Sequence, residues 1–146
     1  MFKHILLATD GSEPSLHAAT LAVGLARVHG ARLTAVYVVD PYPYLGIGDT
    51  NPMGMQAYLS AGRDHAAAAH AHVTALCQGP GEPVELELRL IEDAAAAAGI
   101  AATAKAEGAD LIVAGSHGRT GLNRLVLGSV ATKLVALSEV PLLITR

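Results

Sequence analysis

The sequence predicts an α/β protein built on an open, mainly parallel five-stranded sheet with helices on both faces. Three observations lead there. Five short apolar runs alternate with longer helical patterns along the chain. Two of those runs, Ile5-Leu6-Leu7-Ala8 and Leu111-Ile112-Val113-Ala114, are apolar at every position. The 146 residues suit one domain, 1–146, large enough for a core of its own. A strand that is apolar throughout has no face to offer water, so helices must cover both sides. Alternation of strand and helix gives parallel neighbours joined by right-handed crossovers.

The first strand spans 4–9. Thr9-Asp10-Gly11-Ser12 then turns into a helix with Ser12 as N-cap and Pro14 near the first turn. Leu16, Ala19, Val23 and Ala26 recur at helical spacing, and Gly30 stops the helix. The second strand spans 32–39. Residues 40–54, rich in Pro and Gly, form a connection longer than compact packing needs, and we read it as a flap beside a ligand. The second helix fills 55–78. On it His65 and His72 share a face at i, i+7, about 10 Å apart and too far to chelate one ion. With His70 they read as solvated side chains.

The third strand, 84–90, alternates, with Glu85, Glu87 and Arg89 on one face, and reads as an edge strand. The third helix, 93–107, takes Asp93 as its N-cap and packs through alanines, having few large apolar residues. The fourth strand spans 111–115. The fourth helix runs from Ser129 to about 137, ending before Pro141, and the fifth strand spans 142–145.

Composition narrows the function classes. A net charge of −3 without any Lys/Arg cluster gives no electrostatic footprint for nucleic acid. Cys77 stands alone, which excludes an internal disulfide; it reads as a small apolar helix residue in a reducing compartment. No apolar run approaches the roughly 20 residues of a membrane-spanning helix. Met1-Phe2-Lys3-His4 enters a strand directly, with no signal peptide ahead of it. The expectation is a soluble, cytoplasmic protein with no membrane insertion.

The densest chemistry follows the fourth strand: Gly115-Ser116-His117-Gly118-Arg119-Thr120-Gly121, continuing to Gly128-Ser129 at a helix start. Backbone N–H groups turned inward by such a loop, together with a helix N-terminus, favour a phosphate. The competing reading is a loop that needs glycine only to turn. A P-loop is excluded because no Gly-Lys pair occurs in the chain, and a dinucleotide fingerprint because Thr9-Asp10-Gly11-Ser12 lacks its spacing. His117, Arg119 and Arg124 supply side-chain donors in or near the loop. Ser129 can serve a phosphate through its hydroxyl and N–H, or simply cap the helix.

In open α/β sheets, ligands sit beyond the carboxyl ends of strands where the strand order reverses. If strands one and four are neighbours, Thr9-Asp10-Gly11-Ser12 faces the glycine loop. Asp10 then accepts from sugar hydroxyls, or acts as a turn and cap residue for the first helix; the two roles are compatible.

The chain resembles the universal stress protein family over nearly its whole length. The resemblance rests on Lys3-His4-Ile5-Leu6-Leu7-Ala8-Thr9-Asp10-Gly11-Ser12, on Gly30-Ala31-Arg32-Leu33-Thr34 with Val36-Tyr37-Val38-Val39-Asp40, and on Ala109-Asp110-Leu111-Ile112-Val113-Ala114-Gly115-Ser116-His117-Gly118. Leu127-Gly128-Ser129-Val130 and Val140-Pro141-Leu142-Leu143-Ile144 complete it. The two residues between Gly115 and Gly118, and the nine between Gly118 and Gly128, match the family's ATP-binding signature.

The resemblance implies a Rossmann-like sheet of the adenine nucleotide alpha hydrolase type, in the order 3-2-1-4-5. It also implies ATP as ligand, with or without Mg²⁺. By position, Asp10, beside Ala8 and Thr9, meets the ribose, and the backbone at Val38 meets the adenine. Gly115, Gly118, Gly128 and Ser129 hold the phosphates, and Ser116, His117, Arg119 and Val130 beside them complete the expected nucleotide site. A homodimer through the last strand is implied as well. One departure is Glu92-Asp93-Ala94, where family members often carry glycine.

The function expected is nucleotide-dependent regulation or stress response, read by an unidentified protein partner. The alternative is a slow ATPase or autophosphorylating enzyme, which needs positioned cations and a residue to orient the nucleophile. Around the loop the sequence offers Arg and His but no Lys, and no acidic residue beyond Asp10. That balance favours binding over turnover. A nucleotide-free, chaperone-like scaffold would leave the glycine spacing without a purpose.

Overall fold

The computed structural model describes residues 1–41, 52–118 and 126–146. Most of the 40–54 connection, and Arg119, Gly121 and Arg124, therefore lie outside the described residues. Strands β1 (His4–Ala8), β2 (Arg32–Val39), β3 (Leu86–Glu92), β4 (Leu111–Gly115) and β5 (Leu142–Thr145) form one sheet in the order β3-β2-β1-β4-β5. Every neighbouring pair is parallel. Helices α1 (Glu13–His29), α2 (Pro52–Gln78), α3 (Ala96–Glu107) and α4 (Ser129–Leu137) fill the crossovers.

Strand alternation divides the core in two. Ile5, Leu7, Leu33, Ala35, Leu111 and Val113 turn toward α1 and α2, meeting Ala19, Val23, Val73 and Cys77. Leu6, Ala8, Val36, Ile112 and Ala114 turn to the other face, under Ala97, Ile100 and Ala104 of α3 and Leu134 of α4. All five residues of β1 are buried. The small residues of α3 bring that helix close to the sheet, as its composition required. Burial also holds the Cys77 thiol above its ordinary range, with Arg27 acting in the opposite sense.

Four elements are bounded differently from the sequence expectation: β1 ends at Ala8 rather than 9, α2 begins at Pro52 rather than 55, and β3 and α3 both shift. β3 begins at Leu86 and ends at Glu92, because its extent is set by β2, which it pairs from Leu33 to Val39. α3 begins at Ala96 rather than 93. Asp93 does not cap it: its φ is +62°, in the left-handed region, and Ala95 takes the N-cap position without a side-chain bond. Asp is among the residues that tolerate this conformation. In α4 the N-cap is Gly128, and Ser129 is the first helical residue. Ser12 does stand at the N-cap of α1, but its hydroxyl makes no cap bond and donates instead to Asp10 Oδ1.

Two features fix α2 on the sheet. A Cβ on Gly62 would lie 3.0 Å from Val39 Cγ1, so the helix crosses β2 closely there. At its far end the Arg27 guanidinium donates to the carbonyls of Leu76 (2.6 Å), Cys77 (3.3 Å) and Glu82 (2.9 Å), satisfying groups a helix end leaves open. Among the described residues no helix is long and apolar enough to cross a membrane.

One histidine is not solvated as expected. His70 of α2 is buried, with its ring edge-on to Tyr37 at 6.4 Å, and its Nε2 has no hydrogen-bond partner among the described residues. Loss of hydration pushes its pKa below the usual 6.5, with a backbone hydrogen bond to Ala35 opposing. The folded state therefore takes up a proton at His70 less readily than the unfolded chain does. Its contribution to stability is whole above pH 6.5 and is lost as pH falls below that value, at about 1.4 kcal/mol per pH unit at most. Urea denaturation between pH 8 and pH 5.5 should give a shallower pH slope for His70→Leu than for the wild type. Equal slopes would exclude His70 as the responsible group.

Candidate functional site

β1 stops at Ala8, where its last ladder partner is Val36, whereas β2 continues to Val39 against β3. β4 on the other side continues to Gly115, paired with Thr145. The sheet thus has a notch at the carboxyl end of its central strand, at the point where the strand order reverses. A cavity of about 460 Å³ occupies it, within the usual size of a small-molecule site. Ala8, Thr9, Asp10, Val38, Gly115, Ser116, His117, Gly118, Gly128, Ser129 and Val130 all line this one cavity. Arg119 falls outside the described residues.

Val38 is placed by ladder geometry. Leu33 N–H donates to Glu85 O at 2.8 Å on the β3 side, and Val36 O accepts from Thr9 N–H at 3.0 Å on the β1 side. Alternate residues of a strand turn their peptide groups to opposite neighbours. Val38 therefore presents its N–H and C=O to the β1 side, where β1 has already ended. A planar ligand lying there meets one donor and one acceptor of the strand, with Ala96 and Ile100 of α3 forming an apolar wall.

The turn after β1 is held by its own polar groups. Asp10 Oδ1 accepts from Ser12 N–H at 2.9 Å and from the Ser12 hydroxyl. Ser15 Oγ donates to Ser12 O at 2.9 Å. The turn role foreseen for Asp10 is thus real, and it leaves the carboxylate on the cavity wall.

Ser116 joins three elements. Its N–H donates to Thr145 O at 2.7 Å, its carbonyl accepts from Gly128 N–H at 2.7 Å, and its buried hydroxyl meets His117 Nδ1 at 2.9 Å. The end of β5 and the start of α4 are thereby both tied to the loop leaving β4. The first turn of α4 then faces the cavity through Ser129, Val130 and Ala131, whose N–H groups no preceding helical turn can satisfy. Those groups and the helix dipole favour an anion.

The loop glycines have a reason in the protein itself. None of Gly115, Gly118 and Gly128 has positive φ. A Cβ on Gly115 would lie 2.9 Å from the carbonyl carbon of Pro14, and one on Gly128 would lie 2.8 Å from Ser116 O. Both collisions are with backbone. A Cβ on Gly118 would lie 2.9 Å from Asp10 Oδ2, the mobile end of a side chain.

The sequence reading missed Ser15, Tyr37, Asp40, Ala96 and Ile100 as lining residues. Asp40, after β2, adds a second carboxylate to the cavity that Asp10 lines. Ala96 and Ile100, spaced i, i+4, were visible as a helix face, but only the strand order puts that face beside Val38.

Gly115→Ala and Gly128→Ala should each lose about 1–3 kcal/mol of stability in urea denaturation, since backbone must move. Gly118→Ala should stay close to wild type, because only a carboxylate must swing. A Gly118→Ala variant as unstable as Gly115→Ala would contradict this account.

Comparison with known proteins agrees with the fold. The family model described as the universal stress protein family matches residues 1–146. A universal stress protein of Thermus aquaticus is 38% identical over 147 residues, covering 100% of this chain and 100% of its own. Among solved structures, the universal stress protein UspA of Lactobacillus plantarum has a TM-score of 0.81 at 27% identity, covering 99% of this chain and 97% of its own. The universal stress protein of Archaeoglobus fulgidus in complex with dAMP has a TM-score of 0.62 at 18% identity, covering 100% and 98%, a likeness of fold. With a family match over its full length and a relative this similar end to end, the chain belongs to the universal stress protein family.

Proposed function

We propose that the cavity binds an adenine nucleotide, ATP first among them, and that the protein works as a nucleotide-dependent regulatory or stress-response protein. One observation carries this reading. The outward peptide groups of Val38, the carboxylate of Asp10 and the first turn of α4 all converge on a single cavity. These are partners for a base, a sugar and a phosphate.

In this reading the base lies along Val38 against Ala96 and Ile100, and Ala8, Thr9 and Asp10 meet the ribose. Ser116, His117, Arg119, Ser129 and Val130 attend the phosphates, with Gly115 and Gly128 shaping the loop around them and Gly118 facing Asp10. Mg²⁺ would enter with the triphosphate and offset charge between it and the carboxylates. That an Archaeoglobus fulgidus protein of the same fold is described in complex with dAMP supports the ligand class. A protein partner would then read the nucleotide state.

The same reading pairs two copies through β5. Pro141 O and Thr145 O accept from Ile112 and Ser116 of the β4 side, so the intervening Leu142 and Ile144 turn their peptide groups outward. An open strand edge of this kind is a template for pairing. Val130, Val135 and Leu137 of the neighbouring α4 add exposed apolar surface.

Two measurements test these assignments. Freshly purified protein, denatured and analysed by chromatography and mass, should release an adenine nucleotide, with ATP expected. Release of ADP would move the reading toward the hydrolase alternative. No release, followed by no heat on titration with ATP and Mg²⁺, would overturn it. Light scattering should give twice the chain mass, and Ile144→Pro, which removes an outward N–H, should give the monomer. A wild type that stays monomeric would exclude the β5 dimer.

A further inference from the structure

We infer that Gly118 sets the selectivity of the site for the ribose diol, by leaving room for the Asp10 carboxylate. This rests on the nucleotide reading above and deepens it. The signature glycines do not share one purpose. Gly115 and Gly128 lack side chains because backbone lies 2.9 Å and 2.8 Å from where a Cβ would stand. Gly118 is different: what occupies its side-chain space is Asp10 Oδ2, at 2.9 Å. Gly118 is also exposed, and its backbone lies outside the left-handed region, so alanine is conformationally acceptable there.

Asp10 cannot accommodate a methyl group at residue 118 without a cost in position. Its Oδ1 is engaged by the N–H and the hydroxyl of Ser12, which fixes the carboxylate plane relative to the turn. Swinging Oδ2 away from a new Cβ turns that plane or loosens the Ser12 bonds. Either movement misaligns the acceptor that would take the sugar hydroxyls, and a hydrogen bond to a charged group depends strongly on its alignment. The phosphate end of the cavity is built separately, from Ser116, Gly128 and the first turn of α4. Gly118 is therefore a positioning residue acting through Asp10, and its effect should fall on sugar recognition.

The test compares ATP with 2′,3′-dideoxy-ATP by calorimetric titration in one buffer, for four proteins: wild type, Gly118→Ala, Asp10→Ser and the double variant. Serine at position 10 keeps a hydroxyl for the turn to Ser12 N–H while removing Oδ2. Wild type should prefer ATP by roughly tenfold or more, the worth of a charge-assisted hydrogen bond. Gly118→Ala should keep its affinity for the dideoxy nucleotide and lose most of that preference. In the Asp10→Ser background the preference is already gone, and adding Gly118→Ala should leave the ratio unchanged.

Equal losses for both nucleotides on Gly118→Ala would overturn the inference, since they would place Gly118 at the phosphates. An unaltered preference, or none in the wild type, would overturn it too while leaving nucleotide binding intact. Should Gly118→Ala fail to fold, recovery of folding in the double variant supports the Asp10 contact, and continued failure overturns it. A wild type that binds neither nucleotide fails the site reading itself.

Discussion

The cavity exists because β1 ends before both of its neighbours on the carboxyl side of the sheet. With helices packed on both faces and strands on both edges, β1 has every residue shielded, and its pairing ends at Ala8 while β2 continues to Val39 and β4 to Gly115. A chain that stops pairing there leaves peptide groups of β2 without a ladder. Water or a ligand must satisfy them, since buried backbone groups are rarely left alone. The reversal of strand order at β1 then brings the turn at Asp10 and the loop at Gly115 to the same place.

The opposite end of the sheet is closed by a polar clamp. Buried His4 Nε2 shares a hydrogen bond with Thr34 Oγ1 at 2.8 Å, and Thr34 donates to Glu107 Oε2 at 3.0 Å. Arg32 donates to Glu107 O at 3.1 Å and lies 3.0 Å from His4 Nδ1, which is itself 3.2 Å from Glu107 O. Arg89 pairs with Glu107 from the edge strand at 2.6 Å. β1, β2, β3 and the end of α3 are tied there, so the site at the other end sits on strands that cannot slide. A site built on anchored strands can hold a ligand through backbone groups whose directions are set.

The glycine loop shows how one motif answers several demands. Its glycines read in sequence as room for phosphate, and the structure gives each a neighbour in the protein. Gly115 lets β4 come up under the first turn of α1 at Pro14, where Thr145 Oγ1 also donates to Pro14 O at 3.3 Å. Gly128 lets α4 start against Ser116. These contacts aim the helix N-terminus at the cavity, so the loop shapes an anion site through packing before any ligand arrives.

The amino-acid sequence alone determined the strands that are apolar on both faces, the helical runs between them, and the residues of the two loops. β2, β4, β5 and the span of α4 follow from local pattern, because burial on both faces leaves an unbroken apolar run and helix ends carry their own signals. The tertiary structure decided what depends on a partner. The extent of β3 is set by β2. Asp93 takes a left-handed turn where its side chain alone suggested a cap, and Gly128 displaces Ser129 from the cap because its N–H is drawn to Ser116 O. His70 is buried because α2 lies over β2, which no helical period on α2 reveals. Ala96, Ile100 and Asp40 join the site for the same reason: they are distant in the chain from the glycine loop, and only the order of strands brings them to one notch.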